Sequence, residues 1–149
     1  MAVSYGSGAK GRATKLHSQI VRSIGYCENS EECGYEECPC EDKWKHTRDC
    51  KLQCAHIEGR TASGTRTQLR NAYSLCASCH FTFGVKPLTF SRFVTTTWAQ
   101  EHRQTLIELS RPMVTGQKMD WEWELDRLQE VQKRIKSGVT TLREERDNE

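Results

Sequence analysis

The sequence predicts an α+β protein in which two short strands and a helix form a small core flanked by other helices. Two stretches, KLQCAHI and AYSLC, have the length and residue types of short strands, and a polar loop with two glycines separates them. A helix is predicted to begin at ASCHFTF, directly after the second strand. Apolar residues at helical spacing on either side of this unit predict the flanking helices.

The first flanking helix is predicted in KLHSQIVRSIG. Leu16, Ile20 and Ile24 recur every four residues there, and Gly25 provides a stop. Residues 4–14 are mostly small or basic, which predicts a flexible arm before the helix. The chain therefore enters the folded unit through a short amphipathic helix.

Helices are also predicted after the second strand. Apolar residues follow Pro87 at helical spacing and continue toward Pro112 (Leu88, Phe90, Phe93, Val94, Trp98, Leu106, Ile107 and Leu109). The segment MDWEWELDRLQEVQKRIKSG gives the clearest helical pattern. Its apolar stripe is predicted to pack on the core (Leu125, Leu128, Val131 and Ile135).

Composition indicates that metal ions stabilise this fold. The chain has 149 residues, of which 36% are hydrophobic and 28% charged, so its core is small and needs a further stabilising element. No apolar stretch resembles a secretory signal or reaches the roughly 20 residues that span a bilayer. We therefore expect a cytoplasmic protein without membrane association. The eight cysteines then stay reduced and are available as zinc ligands.

Charge is unevenly distributed although the net charge is only +2. Residues 1–24 hold four basic residues and no acidic ones, whereas residues 25–42 hold seven acidic residues and no basic ones. Residues 56–103 are again basic. Basic surface at the N-terminus and around the strands suits a polyanionic partner, although a merely solvated surface explains the charge equally well.

The ordered motifs resemble the HNH nuclease family and its ββα-metal fold. The resemblance rests on LHSQIVRSIGYC, LQCAHI, TRTQLRNAYSLCASCH and the later Pro and Phe residues, and covers roughly residues 16–95. The sequence is most similar to the small stand-alone HNH endonucleases of bacteriophages. The resemblance implies a basic arm over residues 1–15, a zinc-stapled nuclease domain over 16–95 and a C-terminal helical extension over 96–149.

The resemblance also implies the roles of three residues. His56 would be the general base, Asn71 the middle residue of the motif, and His80 a ligand of the catalytic divalent ion, Mg²⁺ or Mn²⁺/Ni²⁺. Imidazole suits proton transfer near neutral pH, and Asn71 can tie the loop that orients His56. Each histidine has an alternative role. His56 could be a structural residue that is hydrogen-bonded to the backbone, and His80 could be the fourth ligand of the structural zinc.

One position departs from the family pattern. The residue before the base histidine, usually an Asp or His that binds the catalytic metal, is Ala55. The metal would then depend on His80, water, phosphate and another side chain. His17 and His102 lack matching partners and are predicted to lie at the surface. Three arginines of the loop region are candidate phosphate contacts (Arg60, Arg66 and Arg70).

The sequence indicates candidate ligands for structural zinc but leaves more than one pairing of the cysteines open. Cys76 and Cys79 need two partners, for which Cys27 and Cys33 are the nearest candidates. A second zinc site can be built from Cys38, Cys40, His46 and Cys50, but Cys38 or Cys40 can instead pair with Cys76 and Cys79. Cys54 is expected to be a small buried residue rather than a ligand.

Two functions follow as expectations. The first is a metal-dependent HNH endonuclease that nicks or cuts DNA and is phage-encoded, acting in the host cytoplasm. The second is a zinc-held nucleic-acid-binding or DNA-packaging accessory protein that does not cleave. DNA is the expected partner in both, with a phage terminase or another packaging protein as a further candidate.

Overall fold

The computed structural model describes residues 6–29, 52–57, 66–97 and 119–149. These residues form a two-stranded antiparallel hairpin and five α-helices, which confirms the predicted α+β class. A short 3₁₀ turn, Leu69–Asn71, leads into the second strand. In chain order the elements are α1 (Ala9–Arg22), β1 (Leu52–His56), β2 (Ala72–Cys76), α2 (Ala77–Val85), α3 (Pro87–Thr97), α4 (Trp121–Lys136) and α5 (Leu142–Asn148).

Helix α1 begins earlier than its sequence pattern predicts. It starts at Ala9 rather than Lys15, so it includes the second half of the segment predicted to be a flexible arm. Ala13 is fully buried in a core cluster that also contains Leu128 of α4. Packing against a distant helix therefore orders these residues. The helix ends before Gly25, whose φ of 85° is a left-handed conformation that favours glycine.

The hairpin separates two groups of core residues. His56 pairs with Ala72, and Ala55 pairs with Tyr73. Because side chains alternate along a strand, these two pairs lie on opposite faces. On the Ala55 face, Tyr73 and Leu75 of β2 pack with residues of α2 and α3 (Phe83, Phe93 and Val94). On the other face, Ala72 of β2 packs with residues of α1 and α4 (Ile20, Val21, Leu125, Leu128 and Val131).

The C-terminal helices complete the second of these clusters. Leu125, Leu128 and Val131 are buried there and Ile135 packs against them, which confirms the predicted stripe. Asp120 caps α4 by accepting a hydrogen bond from the backbone N–H of Trp123 at 3.0 Å. The predicted extension thus packs directly on α1 and the hairpin. No helix within the described ranges is both long and apolar enough to cross a membrane.

A buried ion pair joins α5 to Glu28, in the segment that follows α1. Arg146 donates to both carboxylate oxygens of Glu28 and also to the backbone carbonyls of Leu69 and Ala72. Glu28 in turn accepts from the backbone N–H of Ser74 at 2.7 Å. The Arg146 and Glu28 residues are only 6% and 7% exposed. This network holds the segment after α1 and the last helix against β2.

Arg146→Ala is expected to lower the free energy of unfolding by about 3–5 kcal/mol, because it leaves the Glu28 carboxylate buried without its partner. Chemical denaturation measures this change. Arg143→Ala, an exposed position on the same helix, is the matched control and should cost less than about 0.5 kcal/mol. Equal losses in both variants would contradict a specific role for the ion pair.

Candidate functional site

Three cysteines meet at the junction between β2 and α2. Cys76 ends β2 and caps α2, and Cys79 lies in the first turn of the helix. Cys27 reaches them because the next residue, Glu28, donates its backbone N–H to the Ser74 carbonyl at 2.8 Å. All three cysteines are fully buried, and their Sγ atoms lie within 4.8 Å of one another. This Cys27–Cys76–Cys79 cluster can hold a metal ion.

The surroundings of the Cys27–Cys76–Cys79 cluster suit a thiolate-bound cation. The backbone N–H of Cys79 donates to Cys76 Sγ at 3.3 Å, and Asn29 Nδ2 donates to Cys79 Sγ at 3.4 Å. Such N–H···S bonds stabilise thiolate ligands. Hydrogen bonding to Cys76 raises the pKa of Cys27 to about 12, and hydrogen bonding to Cys27 raises the pKa of Cys79 as well. A divalent cation would offset the mutual repulsion of three buried thiolates, so the donor set fits zinc.

The remaining predicted zinc ligands lie outside the described residues. They are Cys33, the predicted fourth ligand, and the four members of the second site (Cys38, Cys40, His46 and Cys50). His102, predicted at the surface, also lies outside them. Their assignment stays a prediction.

A second group of metal-ligand types lies on the other face of the hairpin. His17 of α1 and Cys54 and His56 of β1 place ligand atoms within 4.8 Å of one another. The surface prediction for His17 is wrong, because its side chain is fully buried. His17 Nε2 is 2.9 Å from the Gln68 carbonyl oxygen, and its Nδ1 is 4.0 Å from Cys54 Sγ. Burial lowers the pKa of His17 to about 3, helped by the nearby His56, so the ring is neutral.

His56 stands at the end of β1, as the sequence predicts, and its ring faces α1. The ring centroids of His56 and His17 are 5.4 Å apart. His56 Nε2 lies 3.2 Å from the carbonyl oxygen of Arg66. Asn71 is fully buried and accepts the backbone N–H of Ile57 at 2.7 Å through its own carbonyl. Asn71 therefore ties the chain beside His56 through its backbone.

His80 lies on α2, on the opposite face of the hairpin from His56. Its Nδ1 is 2.7 Å from Gln53 Oε1. Gln53 is two residues before Ala55, so strand alternation places both on the α2 face, and Ala55 is only 2% exposed. The structure thus brings His80 together with Gln53, and His56 together with His17 and Cys54. Strand alternation therefore places His56 and His80 on opposite faces of the hairpin.

The predicted phosphate-binding arginines make contacts within the protein. Arg66 donates its Nε–H to Thr14 Oγ1 at 2.9 Å, and Arg70 donates its Nε–H to the Arg146 carbonyl at 2.8 Å. Both side chains are partly buried. Arg60 lies outside the described residues. Arg66 and Arg70 therefore contribute to the fold, and phosphate binding by them stays a prediction.

Comparisons of the chain with protein-family models, curated proteins and solved structures find no match. The placement of the residues is therefore the basis for assigning a function. Three members of these groups were not recognised in the sequence: Gln53, His17 and Cys54, of which Cys54 is half-buried rather than buried. The position of Gln53 could have been recognised, because strand alternation places it on the same face as Ala55, where the family has a metal ligand. His17 lies four residues after Ala13 and three before Ile20, which places it on the buried stripe of α1.

Proposed function

We propose that this protein is a metal-dependent HNH endonuclease that hydrolyses DNA phosphodiester bonds. One observation carries the proposal: a hairpin runs directly into a helix, with a cysteine cluster at their junction. His56 ends the first strand, Asn71 precedes the second, and His80 lies on the helix. This order of elements and residues suits the ββα-metal core of that family. Zinc bound by Cys27, Cys76 and Cys79, with Cys33 as the proposed fourth ligand, would stabilise this core.

The catalytic divalent ion is assigned to the α2 face. His80 would hold it through Nε2, since imidazole nitrogen coordinates divalent cations and Gln53 Oε1 orients the ring by accepting the Nδ1–H at 2.7 Å. When bound, the ion would stabilise charge on the phosphate and on the departing oxygen.

His56 is assigned as the proton acceptor. A carbonyl oxygen only accepts hydrogen bonds, so the contact with Arg66 identifies Nε2 as a protonated nitrogen. Nδ1 then carries the lone pair that can take a proton from water. The backbone bond between Ile57 and Asn71 restrains the strand end that holds this ring.

A second candidate function has an observation in its favour. His56 and His80 lie on opposite faces of the hairpin, and Ala55 supplies no ligand. This arrangement favours a zinc-held nucleic-acid-binding or packaging-accessory protein that does not cleave. Such a protein would bind DNA, alone or with a phage terminase, and the hairpin would serve only as a scaffold.

Supercoiled plasmid separates the two candidates. Incubation with Mg²⁺, Mn²⁺ or Ni²⁺ should convert it to nicked or linear DNA, and a chelator should stop the conversion. The reaction should also be lost in the His80→Ala variant at low metal concentration. Binding of the plasmid without conversion under any of the three ions would support the second candidate.

DNA binding is expected to weaken steeply as salt rises, because Lys and Arg contacts to phosphate release counterions. Replacing Arg66 and Arg70 together by Gln should weaken binding to all sequences alike. Glutamine is chosen because its side-chain N–H can still donate to Thr14 Oγ1 or to the Arg146 carbonyl, so it disturbs the fold less than alanine would. Lys133→Gln, on the exposed side of α4, is the control. Fluorescence anisotropy at several salt concentrations measures both effects, and affinity independent of salt would contradict them.

A further inference from the structure

We infer that His17, Cys54 and His56 form a second metal site, selective for a transition metal ion of the zinc type. This His17–Cys54–His56 site lies between α1 and β1, on the face of the hairpin away from His80. It shares no residue with the Cys27–Cys76–Cys79 cluster. It is also separate from His80, the residue assigned to the catalytic ion.

The donor atoms are close to the arrangement that a tetrahedral ion needs. Zinc bond lengths place a sulfur and a nitrogen ligand about 3.5 Å apart. His17 Nδ1 and Cys54 Sγ are 4.0 Å apart, and the three ligand atoms lie within 4.8 Å of one another. The first pair would have to contract by about half an ångström to bind the ion. α1 and β1 hold the three side chains, so the strand and the helix preorganise the site.

The hydrogen bonds of the two rings provide the second argument. His17 Nε2 contacts the Gln68 carbonyl at 2.9 Å, and His56 Nε2 contacts the Arg66 carbonyl at 3.2 Å. Metal-bound histidines commonly donate their second ring N–H to a carbonyl or carboxylate, which fixes the tautomer. Both rings here have that arrangement, which makes Nδ1 the lone-pair nitrogen in each.

The donor set determines the kind of ion. Two imidazoles and a thiolate are soft to intermediate ligands that suit Zn²⁺, Co²⁺ or Ni²⁺ and not Mg²⁺ or Ca²⁺. Three protein ligands leave a fourth position for a further donor. An ion bound to the lone pair of His56 would occupy the nitrogen that the proposed endonuclease needs as its base. On that proposed function, zinc at the His17–Cys54–His56 site inhibits cleavage.

Cobalt binding tests the site directly. Purified protein that retains its own zinc is titrated with Co²⁺ and followed by absorbance, and bound metal is counted by elemental analysis after dialysis. The parent should show a thiolate-to-cobalt charge-transfer band and should bind about one more ion per chain than Cys54→Ser. Cys54 is only half-buried, so serine should be tolerated. His56→Gln is the second variant and should also lose the extra ion.

His80→Gln is the matched control, since it removes a histidine from the other face of the hairpin and should keep the cobalt band. The inference is overturned if folded Cys54→Ser and His56→Gln bind as much cobalt as the parent with the same spectrum. It is equally overturned if the parent takes up no cobalt. These readouts do not require cleavage, so they remain decisive if the endonuclease proposal fails. If cleavage is found, micromolar Zn²⁺ should inhibit the parent more strongly than Cys54→Ser.

Discussion

Removal of zinc is expected to unfold the segment that links Cys27 to α2. The three cysteines belong to the core cluster that includes Tyr73, Leu75 and Phe93, so their metal and their packing stabilise the same region. Structural zinc in small domains contributes on the order of 10–16 kcal/mol of binding free energy, more than such a core supplies alone. A strong chelator should therefore abolish the cooperative thermal transition. Circular dichroism measures this loss, and added Zn²⁺ should restore the transition.

Elemental analysis of the purified protein gives the complementary result. We expect at least one zinc per chain, and a second zinc that persists in Cys54→Ser would support the site predicted from Cys38, Cys40, His46 and Cys50. Cys76→Ser should lose zinc and melt at a much lower temperature. Cys54→Ser is the matched control on the neighbouring strand and should keep the zinc of the Cys27–Cys76–Cys79 cluster. Less than about half a zinc per chain in the parent would contradict a structural role.

His56→Ala is expected to abolish DNA cleavage while the zinc of the Cys27–Cys76–Cys79 cluster, the melting temperature and the DNA affinity stay close to those of the parent. Loss of a general base typically lowers the rate by about 10²–10⁴-fold and leaves binding intact. Initial rates of plasmid nicking at saturating metal measure the effect. Because His56 contacts His17 and the Arg66 carbonyl, His56→Gln is a useful second variant that can keep a hydrogen bond.

His80→Ala provides the contrast. It should also lose cleavage, but through weaker metal binding, so raising Mn²⁺ or Ni²⁺ should restore part of the rate. Added metal cannot replace a missing proton acceptor, so His56→Ala should stay inactive under the same conditions. If high metal rescues both variants equally, or if His56→Ala keeps its activity, the assignment of His56 as base fails.

The candidate sites were only partly predictable from the sequence. Cys76 and Cys79 were identifiable because a Cys-x₂-Cys spacing at a strand–helix junction points both thiols to one place. Cys27 was found as a candidate by its position after the first helix. The exclusion of His17 and Cys54 as ligands was based on sequence neighbours alone. His17 and Cys54 are 37 residues apart, and their proximity depends on how α1 packs against β1.

The sequence by itself determined the local elements. Residue type and spacing were sufficient for both strands, for α2 after the second strand and for the stripe of α4, because these depend on short-range periodicity. Only the tertiary structure decided that α1 extends back to Ala9, that Arg146 is buried against Glu28, and that His56 and His80 lie on opposite faces. The physical reason is common to all three. Burial by a distant element, and the choice of which helix covers which face of the hairpin, depend on long-range packing that local sequence patterns do not encode.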